Sequence, residues 1–177
     1  GVLAADELQD AGGTMAVLSP ALQSRLNQVL PSGWSHANPI DIIGDAGPER
    51  YRAALSELLA DEASHAVLVM QCPTALASSI ENAAVVVDLA KSNANGTRSA
   101  KTLLTCWLGD DAARASREHF AKNAIPTFET PSDAISGFMQ LVRHTRSQTE
   151  LMQTPDGGTL SEPSRTCQTA KLIAAAL

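Results

Sequence analysis

The residues of this chain whose types and spacing could do chemistry are concentrated between Asn38 and Asp45. The pair Asn38-Pro39 favours an extended backbone before Asp41, which stands within an apolar run, and Gly44 and Asp45 then lead toward a helix. One interpretation is a structural connection in which Asp41 or Asp45 caps that helix. The other is a turn that presents backbone N–H groups and a helix start to an anionic ligand. The residues alone leave both interpretations open.

Other kinds of catalytic or metal site find little support in the sequence. It contains neither GxGxxG nor GxxxxGK[ST] nor GxSxG, and no aspartate follows the first buried strand, which runs out into Gln71, Cys72 and Pro73. The four histidines lack metal-ligand spacing, and the three cysteines include no CxxC pair. Cys72 is expected to be a small buried residue rather than a nucleophile. We therefore expect no catalytic side chain and no metal site in this chain.

The composition excludes further classes of protein. The chain has 177 residues, of which 44% are hydrophobic, and its formal net charge is −6 at pH 7. That charge disfavours nucleic-acid binding, and no apolar run approaches the length of a membrane span, about 20 residues. The lack of a disulfide pattern favours a reducing, cytoplasmic setting. Because the chain starts at Gly1 without an initiator methionine or a basic flank, we expect it to be a piece of a larger protein.

The elements that must position these residues follow from the periodicity of the sequence. Helical spacing of apolar residues predicts helices over 2–11, 20–29, 48–61, 76–92, 111–123 and 131–148, with Ser19 and Thr130 as N-caps. Apolar or β-branched runs predict strands over 14–18, 66–70, 102–107 and 126–129, and a short strand at 40–43 inside a turn-rich stretch. Strands separated by helices predict a three-layer α/β fold, with a mostly parallel sheet and helices on both faces.

The carboxyl ends of the predicted strands are the place to expect a ligand, because open parallel sheets bind ligands at that edge. The segments that follow the strands are rich in polar residues and glycine. Candidate residues of these strand-end loops are Asn38, Asp41, Gly44, Asp45, Gln71, Pro73 and Gly109.

A resemblance to a known family covers most of the chain. It is carried by Gly1–Leu8, Trp34, Asn38–Asp41, Gly44–Ala46, Glu49–Tyr51, Trp107–Gly109, Ile125–Thr127 and Pro131–Ala134. In this order these residues resemble the ADP-forming acyl-CoA synthetases of the succinyl-CoA synthetase superfamily. The resemblance implies a CoA-ligase-like domain of flavodoxin type over 1–148. It also implies a linker over 149–177, with the start of a helix that leads to an ATP-grasp domain.

The resemblance further implies a role for the start of the first helix. Enzymes of this family couple cleavage of an acyl-CoA thioester to nucleotide phosphorylation through an acyl phosphate and a phosphorylated histidine. That histidine belongs to a neighbouring domain, and the residues here that match the family's phosphate-stabilising helix start are Gly1, Val2 and Leu3. Unpaired N–H groups at a helix start carry about half a positive charge, so they bind phosphate without a side chain.

The same resemblance implies a multi-domain assembly. No cofactor is expected on this domain alone, whereas the full-length protein would use CoA, ATP or ADP, and Mg²⁺. Its partners would be the CoA-binding, phosphohistidine-bearing and ATP-grasp domains, with acyl-CoA as substrate, and the isolated chain would be inactive. The strand and glycine-rich turn that the family places before Gly1 are absent from this sequence. We therefore expect an exposed sheet edge that forms a homodimer or is covered by the tail.

Two further functions stay open at this point. Lysine acetyltransferases related to this family carry a similar synthetase-like region, which acts there as an acyl-CoA-sensing regulator without catalysis. A free-standing flavodoxin-like binding domain is the third alternative, and it would bind its ligand without any partner.

Overall fold

The computed structural model of the chain describes residues 1–95, 100–153 and 172–175. The chain divides into two units, Gly1–Gln140 and Leu141–Leu177, and the sheet lies within the first. In the second unit, residues 172–175 are helical. Most of the linker and helix predicted over 149–177 lies outside the described residues.

Three helices precede the first strand, and strands then alternate with helices as far as the sixth helix. The helices are α1 (Val2–Asp10), α2 (Pro20–Val29), α3 (Pro48–Ala60), α4 (Ser79–Ala94), α5 (Asp111–Lys122) and α6 (Pro131–Met152), and the strands are β1 (Ala66–Gln71), β2 (Thr102–Trp107) and β3 (Thr127–Phe128). Two N-caps are confirmed. The Ser19 hydroxyl accepts a hydrogen bond from the N–H of Leu22 at 3.1 Å, and the Thr130 hydroxyl accepts one from Asp133 at 3.1 Å.

The described strands form a parallel sheet in the order β1-β2-β3. The β1–β2 register runs from Ala66 opposite Thr102 to Gln71 opposite Trp107, and Cys106 on β2 lies opposite Phe128 on β3. The middle strand β2 is buried at every position after Thr102. In β1, whose continuous apolar run over 66–70 predicts burial on both faces, only Val69 and Gln71 are buried. All three strands therefore end at the same edge of the sheet, which we call the carboxyl edge.

Helices cover both faces of the sheet. Leu103 and Trp107 on one face of β2 belong to the main core, together with Tyr51 of α3 and Phe120 of α5. Cys106 points to the opposite face, where the charges of Asp133 on α6 and of the Gly1 amino group act on its thiol. On that face the Ser132 hydroxyl of α6 hydrogen-bonds the Glu7 carboxylate of α1 at 2.5 Å. The predicted three-layer α/β fold is therefore confirmed.

Two of the predicted strands are wrong. Residues 14–18 and 40–43 form no ladder with any strand of the described chain. Over 14–18 the backbone carbonyl of Ala16 accepts instead from the Asn38 side chain at 2.8 Å, and Val17 is 87% exposed. At 40–43 the side chain of Asp41 binds the N–H of Ile43 at 2.8 Å, so a local turn competes with strand pairing.

Several boundaries also differ from the sequence-based expectation. Helix α4 begins at Ser79 rather than near residue 76, because the Ser78 hydroxyl caps the N–H of Glu81 at 3.4 Å. Strand β3 is limited to Thr127–Phe128, the residues opposite β2. Helix α6 extends to Met152, beyond the expected end at residue 148.

Candidate functional site

The start of α1 is open to solvent. Gly1 is its N-cap, with no side chain accepting from the first turn, and the first helical hydrogen bond runs from the N–H of Ala5 to the Gly1 carbonyl at 3.1 Å. The N–H groups of Val2, Leu3 and Ala4 precede that bond. Val2 is 70% exposed and Leu3 is 54% exposed. The positive end of the helix dipole is therefore accessible to an anion.

The loop from Asn38 to Asp45, which we call the 38–45 loop, lies directly against this helix start. A Cβ built on Gly1 would be 3.0 Å from Cβ of Pro39. The loop also contacts the segment that follows α1, because Asn38 donates from Nδ2 to the Ala16 carbonyl at 2.8 Å. The loop is thus fixed both to the beginning of α1 and to the segment that follows it.

Neither aspartate of the 38–45 loop caps α3, which corrects one of the two interpretations drawn from the sequence. The N-cap of α3 is Gly47. The Asp41 carboxylate accepts from the N–H of Ile43 at 2.8 Å, and the Asp45 carboxylate is paired with the guanidinium of Arg50. That hydrogen bond and charge from Arg50 hold the pKa of the Asp45 carboxyl below its usual value of 3.8.

Further contacts connect the loops along the carboxyl edge. The Thr74 hydroxyl, three residues beyond the end of β1, donates to the Gly44 carbonyl at 3.1 Å. Gly109, after β2, lies next to Pro73, because its Cβ would be 4.0 Å from Pro73 Cδ. Gly109 has φ +93°, which a residue with a side chain rarely adopts, so backbone conformation rather than lack of space requires glycine there. The structure thus brings the loops after β1 and β2 together with the 38–45 loop.

Gln71 occupies the same edge but turns inward. It is 7% exposed, and its backbone carbonyl accepts from the N–H of Leu108 at 2.9 Å. Its side-chain oxygen accepts from the hydroxyl of Ser79 at 3.0 Å, which in turn lies 2.9 Å from the hydroxyl of Ser116. Gln71 therefore connects β1 to α4 and α5 instead of presenting its amide to solvent.

Two arginines that were not predicted from the sequence support the loops of this edge. Arg117 of α5 donates to the carbonyls of Trp107 at 3.0 Å and Gly109 at 2.5 Å, and lies 3.4 Å from the Glu129 carboxylate after β3. Arg50 of α3 donates to the carbonyl of Ile42 at 3.0 Å. One feature of the sequence could have indicated the role of Arg50: it stands in the first turn of a predicted helix, where the helix dipole disfavours a cation.

The cysteines and the tyrosine differ in their access to this edge. Cys72 is exposed, so the expectation that it is buried is wrong, because the chain leaves the sheet directly after Gln71. Cys106 is buried, and desolvation raises the pKa of its thiol to about 11. Desolvation, with a smaller contribution from the negative charge of Asp41, raises the pKa of Tyr51 to about 12. Both of these groups are therefore neutral at physiological pH.

Other features of the described residues lie apart from this edge. A cavity of about 230 Å³ lies between the end of α4 and the amino ends of β2 and β3, lined in part by Lys91, Asn93, Leu103 and Asn123. No group of three His, Cys, Asp or Glu side chains in the described ranges is arranged to hold a metal ion. Within those ranges, none of the helices combines the length and the apolar character needed to cross a bilayer.

Known proteins with similar sequences are ligases. The sequence profile of the Ligase-CoA domain family matches residues 1–147. ADP-forming acetate–CoA ligase I of Archaeoglobus fulgidus is 29% identical over 146 residues, which are 82% of this chain and 20% of that protein. Subunit alpha of ADP-forming acetate–CoA ligase II of Pyrococcus furiosus is 30% identical over 151 residues, covering 83% of this chain and 32% of that subunit.

Solved structures show the same fold. Acetyl-coenzyme A synthetase 1 of Ca. Korarchaeum cryptofilum in its apo form aligns with a TM-score of 0.78 and 25% identity, covering 87% of this chain and 33% of that chain. The same enzyme in complex with phosphate and ADP aligns with a TM-score of 0.77 at 25% identity, with the same coverage of 87% and 33%. This chain spans a fifth to a third of the length of these relatives. The match over residues 1–147 and the likeness of sequence and fold show that the chain belongs to the Ligase-CoA domain family, which confirms its resemblance to the ADP-forming acyl-CoA synthetases.

Proposed function

We propose that this chain is the CoA-ligase-like domain of an ADP-forming acyl-CoA synthetase, and that the start of α1 holds the phosphoryl group of a phosphohistidine from another domain. The observation that carries the proposal is the position of the start of α1 at the carboxyl edge, where Gly1 lies against Pro39 of the 38–45 loop. Parallel α/β sheets bind ligands at that edge, and helix starts favour anions.

In the proposed reaction, phosphate displaces CoA from acyl-CoA to form an acyl phosphate. The histidine takes the phosphoryl group and releases the carboxylate, and ADP then accepts the phosphoryl group from the histidine. The N–H groups of Val2, Leu3 and Ala4 offset the negative charge of the phosphoryl group while the histidine carries it. A helix start contributes about 0.3–1 kcal/mol to such an anion at an exposed site.

The chemistry in this proposal is supplied by other domains. The relatives are three to five times longer than the part that this chain matches, as the coverage of 33% and 20% indicates. CoA, the adenine nucleotide and Mg²⁺ are bound by those other domains, and the present chain contributes the helix start and an interdomain surface. The chain alone, given acetyl-CoA, ADP and phosphate, is therefore expected to show no turnover.

Phosphate binding can be tested on the chain itself. Inorganic phosphate is titrated into the isotope-labelled chain at constant ionic strength, and the backbone amides are followed by NMR. We expect shifts at Val2, Leu3 and Ala4 that grow with phosphate concentration, with a dissociation constant well above 1 mM, because an exposed helix start contributes only about 0.3–1 kcal/mol. Shifts of the same size with chloride, or no shift in this turn, would contradict the proposal.

A pair of variants isolates the backbone donor. In Val2→Pro the first helical residue becomes proline, which this position tolerates, and one N–H group is lost. Val2→Ala also removes the valine side chain but keeps the N–H group. We expect weaker phosphate binding in Val2→Pro than in Val2→Ala, with α1 intact in both by hydrogen exchange. Equal affinities would exclude the Val2 amide as a donor.

A further inference from the structure

Arg50 occupies an unfavourable place on α3 and is held there by contacts with the 38–45 loop. It is the third residue of the helix, where the positive end of the dipole disfavours a cation. Its guanidinium folds back, and Nη1 donates both to the Ile42 carbonyl at 3.0 Å and to the Asp45 carboxylate. Only 25% of the side chain is exposed. The position of Arg50 is therefore explained by the loop rather than by the helix.

The segment that Arg50 holds is strained. Ile43 has φ 71°, in the left-handed region that a β-branched residue rarely enters. Such a conformation persists only where the surroundings impose it, and it is common at ligand sites. Here the N–H of Ile43 donates to the Asp41 carboxylate at 2.8 Å, and its carbonyl accepts from the N–H of Ala46 at 3.0 Å. Ile43 is 39% exposed, so packing alone does not hold it.

These contacts occupy three consecutive carbonyl groups of the loop. Arg50 binds the carbonyl of Ile42, the Ala46 amide binds that of Ile43, and the Thr74 hydroxyl binds that of Gly44 at 3.1 Å. Carbonyl oxygens repel an anion, so a loop beside an anion site must keep them directed toward donors of the protein. Because Pro39 of the same loop lies against Gly1, the loop conformation determines what surrounds the start of α1.

We propose that Arg50 is a positioning residue of the phosphate site: by binding Ile42 and Asp45 it holds the strained 38–45 loop against the start of α1, without touching the phosphate. This inference rests on the proposed function of that helix start. Loss of the guanidinium frees the Ile42 carbonyl and relaxes Ile43, and the loop then moves away from its place beside Gly1.

The test compares Arg50→Gln with Arg50→Lys in the full chain. Lysine keeps the charge, and its ammonium has enough hydrogens for the two acceptors that Nη1 serves. We expect Arg50→Gln to weaken binding of inorganic phosphate about two- to fivefold, the range of an exposed ion pair, and Arg50→Lys to restore most of it. The Ala46 amide is buried and donates to the carbonyl of the strained Ile43, so its hydrogen exchange reports whether the loop is held. Measured without phosphate, this exchange is expected to accelerate in Arg50→Gln and to return toward the parent rate in Arg50→Lys.

The control is Arg52→Gln, which removes the same charge from the same helix. Arg52 pairs with Asp88 at 3.5 Å and makes no hydrogen bond to the 38–45 loop in the described structure. We expect it to change neither readout. If phosphate binding falls in Arg50→Gln while exchange at Ala46 is unchanged, Arg50 acts on the anion directly and the positioning role is wrong. Unchanged binding in Arg50→Gln also overturns it. If the parent chain binds no phosphate, the proposed function itself fails, whereas accelerated exchange at Ala46 would still identify Arg50 as the residue that holds the loop.

Discussion

Gly1 and Pro39 are in such close contact that a Cβ on Gly1 would lie 3.0 Å from the Pro39 Cβ. The first residue of the candidate site and the loop beside it are therefore packed as one unit, although 38 positions separate them in the sequence. Any side chain at position 1 must push the loop away from the helix start or shift the helix itself.

Substitution of Gly1 by alanine tests that contact. We expect Gly1→Ala to lower the free energy of unfolding by about 1 kcal/mol, because it overpacks the contact with Pro39 and alanine is also a poorer N-cap than glycine. The measurement is urea denaturation. Gly44→Ala is the control, since no atom lies within 4 Å of a Cβ built there. An equal loss in both variants would mean that the contact with Pro39 does not matter for stability.

Acidification should release the loop held by Arg50. The pKa of Asp45 is below 3.8 in the folded chain, so its ion pair with Arg50 is fully formed above about pH 4 and is lost as pH falls through the lowered pKa. We expect hydrogen exchange at the Ala46 amide, which donates to the Ile43 carbonyl, to accelerate below that pH after correction for its intrinsic pH dependence. In Asp45→Asn the same exchange should be fast at every pH. A pH response that survives in Asp45→Asn would assign the titration to another group.

The phenol of Tyr51 should resist ionisation. Its pKa is raised to about 12, so the folded state keeps this proton longer than the unfolded state, whose pKa is 10.0. The protonated phenol therefore contributes at most about 2–3 kcal/mol to the free energy of unfolding. This contribution is complete below pH 10 and is lost between pH 10 and 12. Tyr51 is the single tyrosine of the chain, so ultraviolet titration reports it alone.

A variant shows whether the alkaline loss of stability belongs to Tyr51. In Tyr51→Phe, stability should fall less between pH 10 and 12, while at neutral pH the lost 3.3 Å hydrogen bond to the Met70 carbonyl costs about 1 kcal/mol. Ionisation of Tyr51 near pH 10 in the folded chain would show that the phenol reaches water.

The two cysteines of the described chain should react very differently with thiol reagents. Cys106 is fully buried and its pKa is raised to about 11, so it has almost no thiolate at neutral pH, whereas Cys72 is exposed. In the double variant Cys72→Ser/Cys167→Ser, we expect the remaining Cys106 to stay unlabelled until denaturant is added. In Cys106→Ala/Cys167→Ser, Cys72 should label quickly under native conditions. Rapid labelling of Cys106 under native conditions would indicate that α1 and α6 move away from the sheet and expose its thiol.

The sequence was sufficient for the elements that depend on local interactions. Helices α2 and α6 were predicted because Ser19 and Thr130 cap them, and a cap needs only residues within one turn. Strand β1 was predicted because residues 66–70 are apolar at consecutive positions, and β2 because Leu103–Trp107 is apolar except for Thr105, a β-branched residue that suits a strand. The parallel sheet and its layers then follow from the alternation of helices with strands.

Only the tertiary structure decided which extended segments pair and how the carboxyl edge is built. Residues 14–18 and 40–43 have the composition of strands, but a strand needs a neighbour, and composition does not show whether one is in place. In the same way, the sequence contained Arg50 and Asp45 without indicating that they pair, or that Ile43 adopts φ 71° between them. These features depend on contacts between residues brought together by folding, and the packing of Gly1 against Pro39 is the clearest of them.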